Sequence, residues 1–395
     1  MRTITLLLFL TFSSALYAEI PEISVTAQDS IPPDSIPQQD TVILRKNFFK
    51  KFVDYFGNAN KNVNNKAFDF SILGGPHYSS DVKFGIGMVA AGLYRMDRKD
   101  TVIPPSNVSL YGDVATSGFY LLGIRGTNIF PQDRFRLIYN LYFFSFPGAF
   151  WGVGYENGSK DSNVSKFKRL QNQVKVDFLI RLKKNLYVGP NASFDYAAGK
   201  NFEKPELLEG ASSSVINVGA GATLMYDSRD FLTNAYKGVY VKLEQRFYPG
   251  FMGNKYAFSR TDLITDYYRQ VWKGGVLAMD FHTQLNYGDV PWTMMAPLGG
   301  SFRMRGYYEG RYRDKNSVEV QIELRQKVWR RNGIVVWVGA GNVFPDFQRF
   351  DISHTLPNYG IGYRWEFKKR VNVRLDYGFG KGGQKAFMFN INEAF

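Results

Sequence analysis

Cysteine is absent from this 395-residue chain, which excludes disulfide staples and thiolate metal sites. Histidine is scarce: His77, His282 and His354 are the three present, too scattered to suggest metal ligation. Beyond the N-terminus no run of about 18 or more apolar residues occurs, so membrane-spanning helices are excluded. The formal net charge is +14, yet no compact Lys/Arg run with interleaved aromatics appears. Scattered through strands, loops and turns, these charges argue against nucleic acid and suit turns facing anionic lipid headgroups. There is no G-x-S-x-G elbow, and Gly74-Gly75, Gly299-Gly300 and Gly382-Gly383 fall at strand ends and loops rather than in a phosphate cradle.

Aromatics and glycine are plentiful instead. The chain is 16% aromatic, with 25 Tyr, 34 Phe and 38 Gly, as aromatic girdles and close strand packing require. Residues 316–329 show the governing pattern. Val318, Val320, Ile322 and Leu324 face one way, and Glu319, Gln321, Glu323 and Arg325 the other. Residues 174–182, 277–287 and 371–379 alternate in the same manner. A strand with one oily and one charged face, long enough to cross a bilayer at a tilt, points to a barrel greasy outside and wet within.

Along the chain, MRTITLLLFLTFSSALYA (1–18) has the form of a signal peptide, with Arg2, an apolar core from Ile4 to Phe12, and a cut at Ala15 or Ala18. Residues 19–66 form a disordered leader rich in Pro, Ser, Asp and Gln near its start. Within it, 43–57 places Phe48, Phe49, Phe52, Val53 and Phe56 at helical spacing, predicting a short amphipathic helix. That helix could lie on the leaflet surface, plug the barrel mouth or pack on turns. From 67 to 395 sixteen strand-like runs follow, the first near 68–78 and the last at 385–395. Tight turns after even strands alternate with longer loops after odd ones (147–165, 198–212, 289–315, 345–357). The fold class is therefore all-β, a sixteen-stranded transmembrane antiparallel barrel in a bacterial outer membrane. An even strand count is expected to close the sheet with no backbone edge in lipid.

Four segments carry a family resemblance. Met304-Arg305-Gly306-Tyr307 lies between strands eleven and twelve. Tyr226-Asp227-Ser228-Arg229-Asp230, with Gly238 eight residues after Asp230, lies between strands eight and nine. Phe150-Trp151-Gly152-Val153-Gly154-Tyr155 follows strand five, and the chain stops on Phe389, Ile391 and Phe395 in an outward aromatic phase. Together they resemble the BamA/TamA superfamily of sixteen-stranded outer-membrane barrels. The resemblance implies that Arg305, Gly306 and Tyr307 form a sixth-loop motif folded into the lumen. It also makes Asp227, Arg229, Asp230 and Gly238 a turn motif, and the final aromatics a targeting signal.

Two positions depart from the family pattern: Ala235 stands where Pro is common, and Gly339 where an inward Asp often pairs with the loop Arg. Glu323 then becomes the expected partner of Arg305, since a desolvated guanidinium needs a carboxylate fork. Residues 19–66 leave no room for a periplasmic POTRA domain, so the resemblance implies a stand-alone barrel.

The functional expectation is a non-enzymatic protein of outer-membrane biogenesis, assisting protein insertion or lipid movement through a weak seam between first and last strands. Gly378, Gly380, Gly382 and Gly383 would make the end of strand fifteen pliable. Expected partners are outer-membrane lipids, lipopolysaccharide and a separate periplasmic or lipoprotein chain; no cofactor, metal or nucleic acid is expected. A passive solute channel is the rival. A lipid hydrolase ranks last, because spacing nominates no serine for His282, which with Asp280 is expected to be a lumenal hydrogen-bonding group.

Overall fold

The computed structural model describes residues 68–79, 83–97 and 103–395. The expected signal peptide, leader and helix 43–57 lie outside these residues, as does the side chain of His77. The alternating segments become sixteen antiparallel strands in a single sheet, each paired with its neighbours in sequence. They are β1 (Phe68–Ser79), β2 (Lys83–Tyr94), β3 (Ser106–Ala115), β4 (Tyr120–Ile129), β5 (Phe135–Phe150), β6 (Ser165–Lys183), β7 (Leu186–Lys200) and β8 (Ser214–Asp227). The sheet continues with β9 (Gly238–Tyr248), β10 (Phe258–Trp272), β11 (Gly275–Gly288), β12 (Asn316–Trp329), β13 (Asn332–Phe344), β14 (Leu356–Lys368), β15 (Val371–Gly380) and β16 (Lys385–Ile391). No helix among the described residues is long and apolar enough to cross a membrane.

Burial follows the two-residue period with the sign of a membrane barrel. On β12, Glu319, Gln321, Glu323 and Arg325 are buried while Val320 and Ile322 are exposed. On β15, Asn372, Arg374 and Asp376 are buried and Tyr377 is exposed. Elsewhere Leu122 is 63% exposed and Val338 59%. A sheet that shelters its charges and displays its branched aliphatics is stable only where the surroundings are hydrocarbon.

Connections differ at the two ends. At the turn end, two residues join β6 to β7, β10 to β11, β12 to β13 and β14 to β15. Each turn has one residue at positive φ: Asn185, Gly274, Arg330 and Arg370, as tight hairpins need. Three turn-end connections are longer, 95–105, 130–134 and 228–237. At the loop end, 151–164, 201–213, 249–257, 289–315 and 345–355 are long, but 80–82, 116–119 and 381–384 are short. The alternation in length is therefore real but incomplete.

The C-terminal end of the sheet departs from expectation. Ladders run from β1 through β16, and none joins β1 to β16 among the described residues. Side chains meet there instead: Leu93 of β2 shares an apolar cluster with Val371 and Ile391, with Phe231 packed against it. β16 stops at Ile391 rather than running to 395. Asn392 turns the chain at φ 71°. Phe387 and Phe389 point outward, 60% and 53% exposed, but Ile391 is buried. Phe395 is not a lipid-facing aromatic: its ring packs on Ala235, Tyr268 and Ala278, because the turn at Asn392 reverses the phase of the last residues.

Candidate functional site

Loop 289–315 folds back from the rim into the lumen. A two-residue ladder pairs Ala296 with Asp314 and Pro297 with Arg313, and Leu298 N–H donates to the Tyr312 carbonyl at 2.8 Å. Below this neck, Leu298, Met304, Tyr307 and Tyr312 pack with Val343 and Leu356 of the wall. The tip is fastened by charge. Arg303 grips Asp280 of β11 through Nε and Nη2, at 2.8 and 2.7 Å.

Arg305 is fully buried. Its Nη1 donates to Asp376 at 2.8 Å and its Nη2 to Glu323 at 2.5 Å. The guanidinium lies 3.7 Å from the Trp337 ring centroid, a cation–π contact strengthened by desolvation. Thus the expected partner, Glu323, is one of two carboxylates on the loop arginine. Asp376, from β15 rather than β13, is the other, and Trp337 covers the face beside Gly339. Asp376 was readable as inward from its alternation; that it would meet Arg305 across three strands was not.

These residues belong to a closed circuit of charge. Asp376 also accepts from Arg364 at 2.5 Å, and Arg364 donates to Glu393 at 2.7 Å. Glu393 lies 3.8 Å from Arg325, which donates to Glu323 at 2.7 Å. Three arginines and three carboxylates therefore alternate: Arg305, Asp376, Arg364, Glu393, Arg325, Glu323 and back to Arg305. Alternation offsets the desolvation that would make any member alone costly. Glu393 could not be found from phase, since continued extension would put it outward; the turn at Asn392 brings it in.

Gly306 and Tyr307 seat the loop on β15. Gly306 adopts φ 119°, a conformation glycine tolerates. A β-carbon on Gly380 would meet the Tyr307 ring at 2.5 Å. The β15 glycines at 378 and 380 thus admit the loop by close approach, where pliability was expected. The Tyr307 hydroxyl donates to the Pro357 carbonyl at 2.6 Å and accepts from the Lys381 N–H at 2.7 Å. Burial pushes that hydroxyl up to about 12.

The segment Phe150–Tyr155 caps the loop from the rim. Phe150 stacks obliquely on Trp292, Trp151 meets Tyr308, and Tyr155 lies between Tyr312 and His354. Gly154 N–H donates to the Arg313 carbonyl at 2.8 Å.

At the opposite end, Asp227 accepts from Arg229 Nε at 2.9 Å and from Arg136 at 2.8 Å. Arg229 lies over Tyr240 and Arg136 over Tyr187. Asp230 pairs with Arg370 at 2.5 Å, which ties turn 228–237 to the β14–β15 turn. Gly238 adopts φ 120°, and a β-carbon there would meet the Ser228 carbonyl at 2.4 Å. The sixth-loop and turn motifs do not touch each other directly; both converge on the last strands.

A family model described as the Omp85 superfamily domain matches residues 126–395. The chain belongs to the Omp85 superfamily. Among solved structures it is similar to BamA from Haemophilus ducreyi lacking POTRA domains 1–3, at 12% identity and TM-score 0.52, over 82% of this chain and 69% of that one. It is also similar to CdiB from Escherichia coli, at 10% identity and TM-score 0.53, over 84% of this chain and 63% of that one. This chain thus spans less than two thirds of CdiB, and identities this low speak for the fold alone. No curated protein matches this sequence.

His282 faces Asp262 with Nε2 at 3.3 Å and Glu319 with Nδ1 at 3.4 Å. With both ring nitrogens turned to carboxylates, neither is left to take a serine proton. His354 stacks on Tyr155 at 4.1 Å. Among the described residues no group of three or more His, Asp or Glu is placed to hold a metal. Of the lumenal carboxylates, Asp280, Glu323 and Asp376 hold loop 289–315 through Arg303 and Arg305.

Proposed function

We propose that this Omp85 barrel serves outer-membrane biogenesis, assisting protein insertion or lipid movement at the seam between its first and last strands, without enzymatic chemistry. One observation carries the reading. The fully buried Arg305 holds loop 289–315 inside the lumen against β12 and β15, immediately beside the closing strand. A loop so fastened opposes free passage of solute and braces the strands next to the seam. The rival, a passive channel, needs an unobstructed lumen.

Outer-membrane lipids and lipopolysaccharide would contact the exposed aliphatic band, and Phe387 and Phe389 present aromatics suited to targeting. A separate periplasmic or lipoprotein chain is the protein partner this reading proposes.

Depletion of the protein followed by quantification of other outer-membrane proteins tests the assembly role; a fall is expected, and unchanged levels remove it. Conductance in planar bilayers separates the rival. The intact barrel is expected to conduct weakly and a barrel lacking 298–312 strongly, whereas strong steady conductance of the intact protein favours the channel.

A further inference from the structure

The circuit around Arg305 contains one member from outside the wall and the loop. Glu393 belongs to the tail that follows β16, and three side chains receive it: Arg364 at 2.7 Å, Asn372 at 2.6 Å and Arg325 at 3.8 Å. It is 6% exposed. The tail is held at further points. Asn392 N–H donates to the Asn372 carbonyl at 2.8 Å, Arg325 donates to the Phe395 carbonyl at 3.0 Å, and the Phe395 ring lies under the Arg325 guanidinium at 5.1 Å.

We infer that Glu393 is a positioning residue that couples the end of the closing strand to the sixth loop, so that release of either loosens the other. The coupling runs along both arms of the circuit. Arg364 stands between Glu393 and Asp376, and Arg325 between Glu393 and Glu323; Asp376 and Glu323 are the two carboxylates that hold Arg305. While Glu393 is seated, Arg364 and Arg325 share a third carboxylate that Arg305 does not use. When the tail leaves, both guanidinium groups turn to Asp376 and Glu323 alone and compete with Arg305 for them. Arg374, 3.3 Å from Asp376, sharpens that competition, because four buried arginines would then share two carboxylates. Unpaired buried cations are costly, so the loop loses its hold.

The converse follows from thermodynamic reciprocity. If an undocked tail weakens the seat of Arg305, an undocked Arg305 must weaken the seat of the tail by the same factor. This deepens the proposed function by naming a regulator of the same site: a strand end that moves at the seam reports directly to the loop in the lumen. It rests on that reading for its biological meaning, but the physical coupling is measurable in the purified barrel, so either can fail alone.

Hydrogen exchange of the full-length barrel in lipid nanodiscs tests it. Glu393→Gln keeps the shape and deletes the charge; exchange within 298–312 is expected to rise about tenfold or more. Glu366→Gln, which breaks the Lys327 pair outside the circuit, is expected to leave that segment protected. Arg305→Lys is expected to raise exchange within 385–395. Unchanged loop protection in Glu393→Gln, with the tail itself loosened, overturns the coupling. Should Glu393→Gln fail to fold, Arg305→Lys decides: a tail that stays as protected as in the wild type overturns it equally.

Discussion

Gly306 of the sixth loop and Gly378 of β15 touch backbone to backbone: a β-carbon placed on either would meet the other's main chain at 2.8 Å. The loop motif is therefore seated in a slot cut for it in the barrel wall, and its arginine reaches its carboxylates only from that seat.

Substitution of the slot tests this first. Gly378→Ala would push a methyl to 2.4 Å from the Arg305 carbonyl. It is expected to destabilise the docked loop by about 1–3 kcal/mol, as overpacking does. Gly112→Ala, with nothing within 4 Å of the new carbon, is expected to change stability by less than about 0.5 kcal/mol. Urea unfolding of refolded barrels, followed by heat-modifiable gel mobility, reads both.

Arg305→Ala strands Glu323 and Asp376 in the lumen beside one another's remaining cations. Removing one partner of a buried ion pair costs about 3–5 kcal/mol, and a loss of that size is expected in the same unfolding measurement. Trp337→Leu keeps the carboxylates and removes the ring 3.7 Å from the guanidinium. Its expected cost is about 2 kcal/mol, the value of a desolvated cation–π contact.

Alkali is expected to undock the loop through Tyr307. Burial raises its hydroxyl from 10.0 to about 12, so the neutral form is favoured in the folded state. That contribution is fully present below pH 10 and is lost as pH rises through about 12. Thermal unfolding of wild type is expected to fall more steeply across this window than that of Tyr307→Phe. Parallel curves would remove Tyr307 as the cause.

The turn motif is expected to be structural in its own right. Asp227 serves Arg136 and Arg229 together, so Asp227→Asn leaves Arg136 to Asp133 alone and takes the carboxylate from sheltered Arg229, and is expected to cost about 3 kcal/mol or more. Circular dichroism melts of Asp227→Asn beside Asp346→Asn, whose Arg349 pair is solvent-exposed, would show whether the cost belongs to burial.

On the outer face, Ile322→Arg is expected to oppose membrane insertion by about 2–4 kcal/mol near the bilayer midplane. Folding yield into lipid vesicles checks it, with a fall expected only when lipid replaces detergent as solvent for that face.

Much of this architecture is legible residue by residue. The alternation of 316–329 anticipates β12 with its buried Glu323 and exposed Ile322, and Met304-Arg305-Gly306-Tyr307 marks the loop that docks. Phe395 and Glu393 were not legible, because a single left-handed residue, Asn392, reverses the phase that period-two reasoning extends to the terminus. Gly378 and Gly380 were visible as glycines, but a glycine that bends and a glycine that admits a neighbour look alike until the neighbour is placed.

The amino-acid order by itself determined the strands, their inward and outward faces and the membrane as solvent, because each depends on a period-two pattern local to about ten residues. The tertiary structure alone decided which charges meet. Arg305, Asp376, Arg364, Glu393, Arg325 and Glu323 come from a loop, three strands and a tail, and their pairing energy exists only once sheet curvature and the fall of the loop bring them within hydrogen-bond reach.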